Sequence, residues 1–235
     1  MGNSAVEITT VLLDAGGVIL DESEAEHARA EIISANVAAL VPGYSVEDYR
    51  SDIEEALLSF SPSVYRYVLW KRSDGDTSIF DRLHESYRAE WGRRQPELKL
   101  TDGLREELQP MSGRYSIGIA GQYGSRVLDL LRRETLLDHF AHRYTQVDFS
   151  ITKPDPRYFE QIASACGVEP QQCVMVGDRI DNDVIPAKQV GMRTIRVRAG
   201  LHKDQRPRAP DEMPDLELTG VVGLASAVDQ LADRR

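Results

Sequence analysis

The first stretch with a clear pattern is Ile8, Val11, Leu12 and Leu13, a short apolar run that ends at an acid followed by two glycines. Near-continuous hydrophobicity over so few residues predicts a strand buried on both faces, as in the middle of a parallel sheet. From about residue 21 to 99 the period becomes helical. Ala25, Ile32, Ile33, Asn36, Val37 and Leu40 share one face, and Pro42-Gly43 stops the run. Ser45 with Asp48 predicts a capping box for a second helix through Tyr49, Ile53, Ala56, Leu57 and Phe60. Ser61-Pro62 predicts the N-cap and first turn of a third, carrying Val64, Tyr65, Val68 and Leu69. Ile79, Phe80, Leu83, Tyr87 and Trp91 mark a fourth. Helices with no strand between them predict a small bundle inserted into another domain.

After residue 100 strands and helices alternate. Strands are predicted at Tyr115–Ala120, Arg143–Thr145, Cys173–Val176 and Thr194–Val197. Helices are predicted at Ser125–Arg132, at Pro156–Cys166 with Asp155 as N-cap, and at Asp183–Val190 with Gly191 ending it. The polar, proline-rich segment Lys203–Pro214 reads as a loop, and a final helix runs from about Val221 to Leu231. Alternation of this kind implies βαβ units with right-handed crossovers. The expected fold is therefore α/β: a doubly wound parallel-sheet core from residues 1–20 and 100–235, with an all-helical cap domain at 21–99.

Composition narrows the partners. The formal charge is −10 and the pI near 5.0, a balance that repels nucleic acid and anionic membrane. An anionic substrate must then be received by a local metal or basic group. Cys166 and Cys173 make no disulfide framework and read as small core residues. The first residues, MGNSAVEITT, show no secretory pattern; Gly2 suggests myristoylation only faintly, and a disordered start is the simpler reading. No apolar stretch approaches a membrane span, so the expected location is cytoplasmic.

The candidate chemistry lies where strands end, because open parallel sheets bind ligands beyond their carboxyl edges. Leu13 leads into Asp14, Val176-Gly177 leads into Asp178, and Asp183 follows five residues later. A single acid after a strand is usually a helix cap. Three converging carboxylates repel one another unless a cation sits among them, and an all-oxygen set suits Mg²⁺. Lys153 is either a solvated surface lysine or a fixed cation for an anionic substrate. The five histidines have no metal-ligand spacing.

The segments VLLDAGGVIL, YSIGIAGQYG, KPDPRYFE and VMVGDRIDNDVIPAKQVGMRTI resemble, in order, the four motifs of the haloacid dehalogenase (HAD) superfamily, with a helical cap between the first two. The resemblance implies a Rossmannoid core and Mg²⁺-dependent hydrolysis of a small phosphorylated molecule. It implies Asp14 as the nucleophile that takes up phosphate, with Asp14, the backbone carbonyl of Gly16, Asp178 and Asp183 at the metal. It also implies Lys153 as the group that holds phosphate and Asp14.

Two positions depart from the family's phosphatases. Their second aspartate, which protonates the leaving group, is Gly16 here, and the serine or threonine ending the second motif is Gly121 followed by Gln122. Backbone amides at Gly121 and Gln122, or the Gln122 side chain, are the remaining phosphate donors. Loss of the general acid costs roughly 10²–10⁴ in rate and favours substrates with good leaving groups. Two alternatives stand beside phosphatase activity. One is a weakly active or non-catalytic HAD fold kept for binding or regulation. The other is a dehalogenase-like carbon–halogen hydrolase, against which the acidic Gly-Asp turn argues. Within the helical segment, Lys71 or Arg72 either reads the substrate or complements a helix C-terminus.

Overall fold

The computed structural model describes residues 6–94, 96–121, 123–145 and 147–234; Gly2 and Gln122 lie outside them. The chain divides into two compact units, Met1–Asp21 with Leu98–Arg235, and Glu22–Glu97.

The first unit is built on a parallel sheet. Its strands are β1 (Thr10–Leu13), β4 (Ser116–Ile119), β5 (His142–Arg143), β6 (Cys173–Gly177), β7 (Arg193–Val197) and β8 (Leu216–Leu218), in the order β5-β4-β1-β6-β7-β8. A separate two-stranded antiparallel ribbon pairs β2 (Leu20–Asp21) with β3 (Lys99–Leu100). All four residues of β1 are buried, as an apolar run between two neighbours requires. Alternate side chains serve opposite faces. Val11, Leu13, Ile117, Ile119, Val174 and Val176 pack with α5 (Leu104–Ser112), α6 (Arg126–Arg133) and α9 (Leu224–Ala232). Leu12 and Met175 pack on the other face with Phe159 and Ile162 of α7 (Pro156–Cys166) and Ala187 of α8 (Ile185–Gln189). Helices on both faces make the core doubly wound.

The second unit contains α1 (Ser23–Ala38), α2 (Val46–Leu58), α3 (Val64–Arg72) and α4 (Thr77–Arg94). The Ser45–Asp48 capping box is present at the start of α2. The third helix starts later than expected: Ser63 holds the N-cap position, and the Ser61 hydroxyl donates to the Ser63 carbonyl at 3.3 Å. In the core, α5, β2, β3 and β8 come in addition to the predicted elements. The predicted strand at Arg143–Thr145 pairs instead at His142–Arg143, where β5 forms the sheet edge beside Gly118. The helix expected at Asp183–Val190 begins as a π-helical turn, Ile180–Val184, and continues as α8. Both cysteine thiols are free, and burial pushes them up, Cys166 to about 11 and Cys173 to about 12. Thiols so raised are poor nucleophiles.

Candidate active site

Parallel register brings the acids together. Leu13 lies opposite Val176 of β6 and Ile119 of β4, so the next residues of all three strands meet at one carboxyl edge. The Asp14 amide extends the pairing by donating to the Val176 carbonyl at 2.8 Å. The chain then turns sharply, with the Ile19 and Leu20 amides both donating to the Ala15 carbonyl. Gly17 occupies the left-handed region at φ +67°, and a Cβ there would lie 3.0 Å from the Asp178 Cβ. Glycine thus lets the turn after β1 close against the loop after β6.

That second loop needs a glycine too. A Cβ on Gly177 would fall 2.4 Å from the Asp183 carboxyl carbon. Its absence lets Asp183 fold back onto the strand end, where one carboxylate oxygen accepts the Arg179 amide at 3.0 Å. Asp14, Asp178 and Asp183 consequently offer carboxylate oxygens that all lie within 4.8 Å of one another. Lys153 joins two of them: Nζ donates to Asp14 Oδ1 at 2.7 Å and to Asp183 Oδ1 at 2.6 Å. Its side chain is fully buried, so the solvated-surface reading of this lysine is excluded.

Burial opposes the Lys153 charge, but Asp14 and then Asp183 overcome it and hold the ammonium above its ordinary value. The Asp183 carboxyl moves the other way: burial drives it up, Lys153 pulls it down, and repulsion from Asp14 adds to the rise. The side chains of the cluster set three carboxylates against one ammonium. Nearby, Arg179 pairs with Asp181 and Arg196 with Glu217. An all-oxygen, net-negative donor set of this spacing fits a hard divalent cation.

The remaining candidate positions divide. Gly16 is buried in the turn and bridged to Leu20, and it brings no acid to the cluster. At Gly121 an added Cβ would stand 2.6 Å from the Ala15 Cβ and 2.8 Å from its nitrogen. Serine or threonine would therefore displace the backbone that follows Asp14. Gln122 is outside the described residues. In the helical unit Arg72 is held by Asp52 through two 2.6 Å hydrogen bonds, and Lys71 lies 2.9 Å from Asp52 and pairs with Glu55.

Two buried polar residues of this region were not anticipated. Arg196, 1% exposed, donates from Nε to the Asp178 carbonyl at 3.3 Å. Gln205, 3% exposed, contacts Ile180 and Asp181. A basic residue inside the buried run Thr194–Val197 was a usable signal for Arg196. Gln205 lies in a polar loop and had none.

A family model described as haloacid dehalogenase-like hydrolase matches residues 8–191. The chain belongs to this family. Curated proteins similar to it include phosphatases. Glyceraldehyde 3-phosphate phosphatase of Methanopyrus kandleri is 28% identical over 236 residues, covering 96% of this chain and 99% of that one. Phosphoserine phosphatase of Thermus thermophilus is 38% identical over 96 residues, 39% of this chain and 37% of that one. The crystal structure of a HAD phosphatase from Thermococcus onnurineus superposes with a TM-score of 0.61 at 24% identity, over 94% of this chain and 98% of that one, which is a likeness of fold. Among the described residues no helix is long and apolar enough to cross a membrane.

Proposed function

We propose that this hydrolase is a Mg²⁺-dependent phosphatase of a small phosphorylated metabolite and that Asp14 is its nucleophile. The observation that carries the reading is the buried Lys153 bridging Asp14 and Asp183 beside Asp178. Asp14, the Gly16 carbonyl, Asp178 and Asp183 would hold the cation, and residues 22–97 would be the cap domain. When bound, Mg²⁺ supplies positive charge that offsets the negative charge of a phosphate in the site.

One Asp14 carboxylate oxygen attacks phosphorus, and the bond from phosphorus to the leaving oxygen breaks. The product is a phosphoaspartate, which water then attacks at phosphorus to release phosphate and restore the carboxylate. Lys153 hydrogen-bonds Asp14 and adds fixed positive charge beside the reacting group, where no reorganisation is needed during the step. Gly16 provides no proton for the leaving oxygen. The substrates favoured are those whose leaving group departs as a stable anion, such as acyl and anomeric phosphates. Gly121 and Gln122 would contribute backbone amides to the phosphate oxygens.

The test is Mg²⁺-dependent release of phosphate from acetyl phosphate, p-nitrophenyl phosphate and glyceraldehyde 3-phosphate, with Asp14→Asn as control. Turnover on acetyl phosphate is expected to exceed that on glyceraldehyde 3-phosphate by roughly 10²-fold or more, the share a general acid usually supplies. Activity that survives Asp14→Asn removes Asp14 from the mechanism. Gly16 also favours a second reading, a fold kept for binding, and absence of turnover on all three phosphates would select it. The carboxylate cluster argues against carbon–halogen hydrolysis, a reaction with no use for a cation at that edge.

A further inference from the structure

Behind the carboxylates, the turn at residues 200–205 grips the loop that carries two of them. Gln205 is the centre of that grip. Its Oε1 accepts the Ile180 amide at 2.9 Å, and its Nε2 donates to Asp181 Oδ1 at 2.8 Å. Its own amide donates to the His202 carbonyl at 3.0 Å. Arg196 ties the same turn to the other side of the loop: Nε donates to the Asp178 carbonyl at 3.3 Å, and one terminal nitrogen donates to the carbonyls of His202 and Lys203 at 2.9 and 3.3 Å. Arg179 closes the arrangement by pairing with Asp181 through both carboxylate oxygens. One buried amide and one buried guanidinium therefore brace the segment from Asp178 to Asp183.

Resting on the reading of Asp178 and Asp183 as cation ligands, we propose that Gln205 is a positioning residue that holds this loop in its cation-binding form and thereby sets cation affinity. The Ile180 amide is buried and has left the sheet ladder, so an acceptor must come from elsewhere. Without the Gln205 oxygen that donor is unsatisfied, and the loop relaxes to find another partner. Ile180 and Asp181 lie between the two carboxylates, so relaxation there changes the spacing of their oxygens. Partners of this kind, one step removed from a metal, commonly govern affinity by about 10–100-fold. Gln205 contacts neither Asp14 nor Lys153 in these hydrogen bonds, and its effect falls on binding and not on the chemical step.

The test is calorimetric titration of the full-length protein with Mg²⁺ alone, for the wild type, Gln205→Met and Gln205→Glu. Gln205→Met removes both hydrogen bonds at similar volume, and its Kd for Mg²⁺ is expected to rise about 10–100-fold. Its kcat at saturating Mg²⁺ is expected to stay within about threefold of wild type, a split that general loosening of the fold would not give. Gln205→Glu keeps the acceptor for Ile180 but sets a carboxylate against Asp181, and a smaller rise is expected. Urea unfolding in EDTA registers whether each variant folds; should Gln205→Met fail to fold, Gln205→Glu is judged by the same criterion. A folded variant with wild-type Mg²⁺ affinity, or one whose loss lies wholly in kcat, overturns the proposal. A wild-type protein that takes up no Mg²⁺ removes the cation reading itself and this proposal with it, an outcome distinct from variants that match a binding wild type.

Discussion

Each unit of the molecule gathers charged side chains around a buried carboxylate, and the two clusters differ in their balance and exposure. In the helical unit Asp52, 1% exposed, receives Arg72 and Lys71 together with the Tyr44 hydroxyl at 2.7 Å. Lys71 is shared with Glu55, so two cations face two carboxylates. In the core three carboxylates face one ammonium. Titration reflects the contrast. Burial opposes ionisation of Asp52, but hydrogen bonds from Arg72, Tyr44 and Lys71 outweigh it and hold the carboxyl below its ordinary value. At Asp183 burial outweighs Lys153, and the carboxyl rises. Buried charge alone does not mark a site, because a neutral cluster of this kind is complete as architecture. A buried excess of one sign is costly to hold, and a hard divalent cation is the kind of group that would offset it.

Removing the lysine presses hardest on the contrast. Lys153→Met deepens the imbalance in the core and should lower kcat/KM on acetyl phosphate by roughly 10²–10³-fold. Loss of one partner of a buried pair should also cost about 3–5 kcal/mol of metal-free stability. The matching change in the balanced cluster, Arg72→Met, should lower stability and leave the chemical step alone. Steady-state kinetics at saturating Mg²⁺ and urea midpoints in EDTA measure both. A Lys153→Met enzyme within tenfold of wild type would detach this lysine from the reaction.

Mg²⁺ itself should stabilise the imbalanced cluster and no other. At 100 times its Kd a ligand adds about 2.7 kcal/mol. For a protein of this size that raises Tm by about 5–10 °C. The rise should vanish in Asp178→Asn and persist in Asp52→Asn. Equal shifts in both variants, followed by differential scanning calorimetry, would place the stabilising cation elsewhere.

Most of this architecture was legible from residue patterns, for reasons that also explain the omissions. The largely apolar β1 and β6 read as central strands, and the acids that follow them read as edge residues. The strand β8 escaped because Leu216–Leu218 is too short to display a period. The helix α5 carries Leu104, Leu108 and Met111 at helical spacing, but it is short and has Pro110 in its last turn, where a proline ordinarily marks a break. The carboxylates of the site could be read because motif spacing and strand ends are local. The contacts that brace their loop could not: Arg196 reaches the Asp178 carbonyl from 18 residues away and Gln205 reaches Ile180 from 25, through a turn whose conformation no local pattern encodes. Nor did the residues announce why position 121 lacks a side chain, since the conflict is with Ala15, a neighbour only once β1 and β4 are paired.

Acid should weaken the support behind the core cluster. Burial and the Arg179 guanidinium, partly offset by Asp181 and reinforced by Arg196, bring the His202 imidazole down to about 3 from 6.5. The folded protein therefore keeps His202 neutral, while the unfolded chain takes up a proton below about pH 6.5. The associated stability is present above pH 6.5 and is lost as pH falls toward 3. At 1.36 kcal/mol per pH unit the loss reaches about 2 kcal/mol by pH 5. Urea midpoints at pH 7 and pH 5 in EDTA should show that excess loss in the wild type and not in His202→Asn. Parallel curves for the two proteins would mean that His202 is as easily protonated folded as unfolded.

The smallest expected effect tests the balanced cluster directly. Asp52→Asn removes one negative charge but preserves shape and an acceptor oxygen for Arg72. The cluster of Lys71, Arg72 and Glu55 then holds an excess of positive charge, the mirror of the core's condition. Unlike Lys153, the two cations can shed it to solvent: the Lys71 and Arg72 side chains are 34% and 28% exposed. The cost should accordingly be about 1–2 kcal/mol, the range of a charged hydrogen bond weakened to a neutral one. Raised ionic strength should recover part of it, because exposed charges are screened and buried ones are not. Turnover of acetyl phosphate should stay within about threefold of wild type, since sites without shared partners act independently. A loss of turnover as large as that of Lys153→Met, in a variant that remains folded, would break the distinction between a cluster that supports the fold and one that serves the reaction.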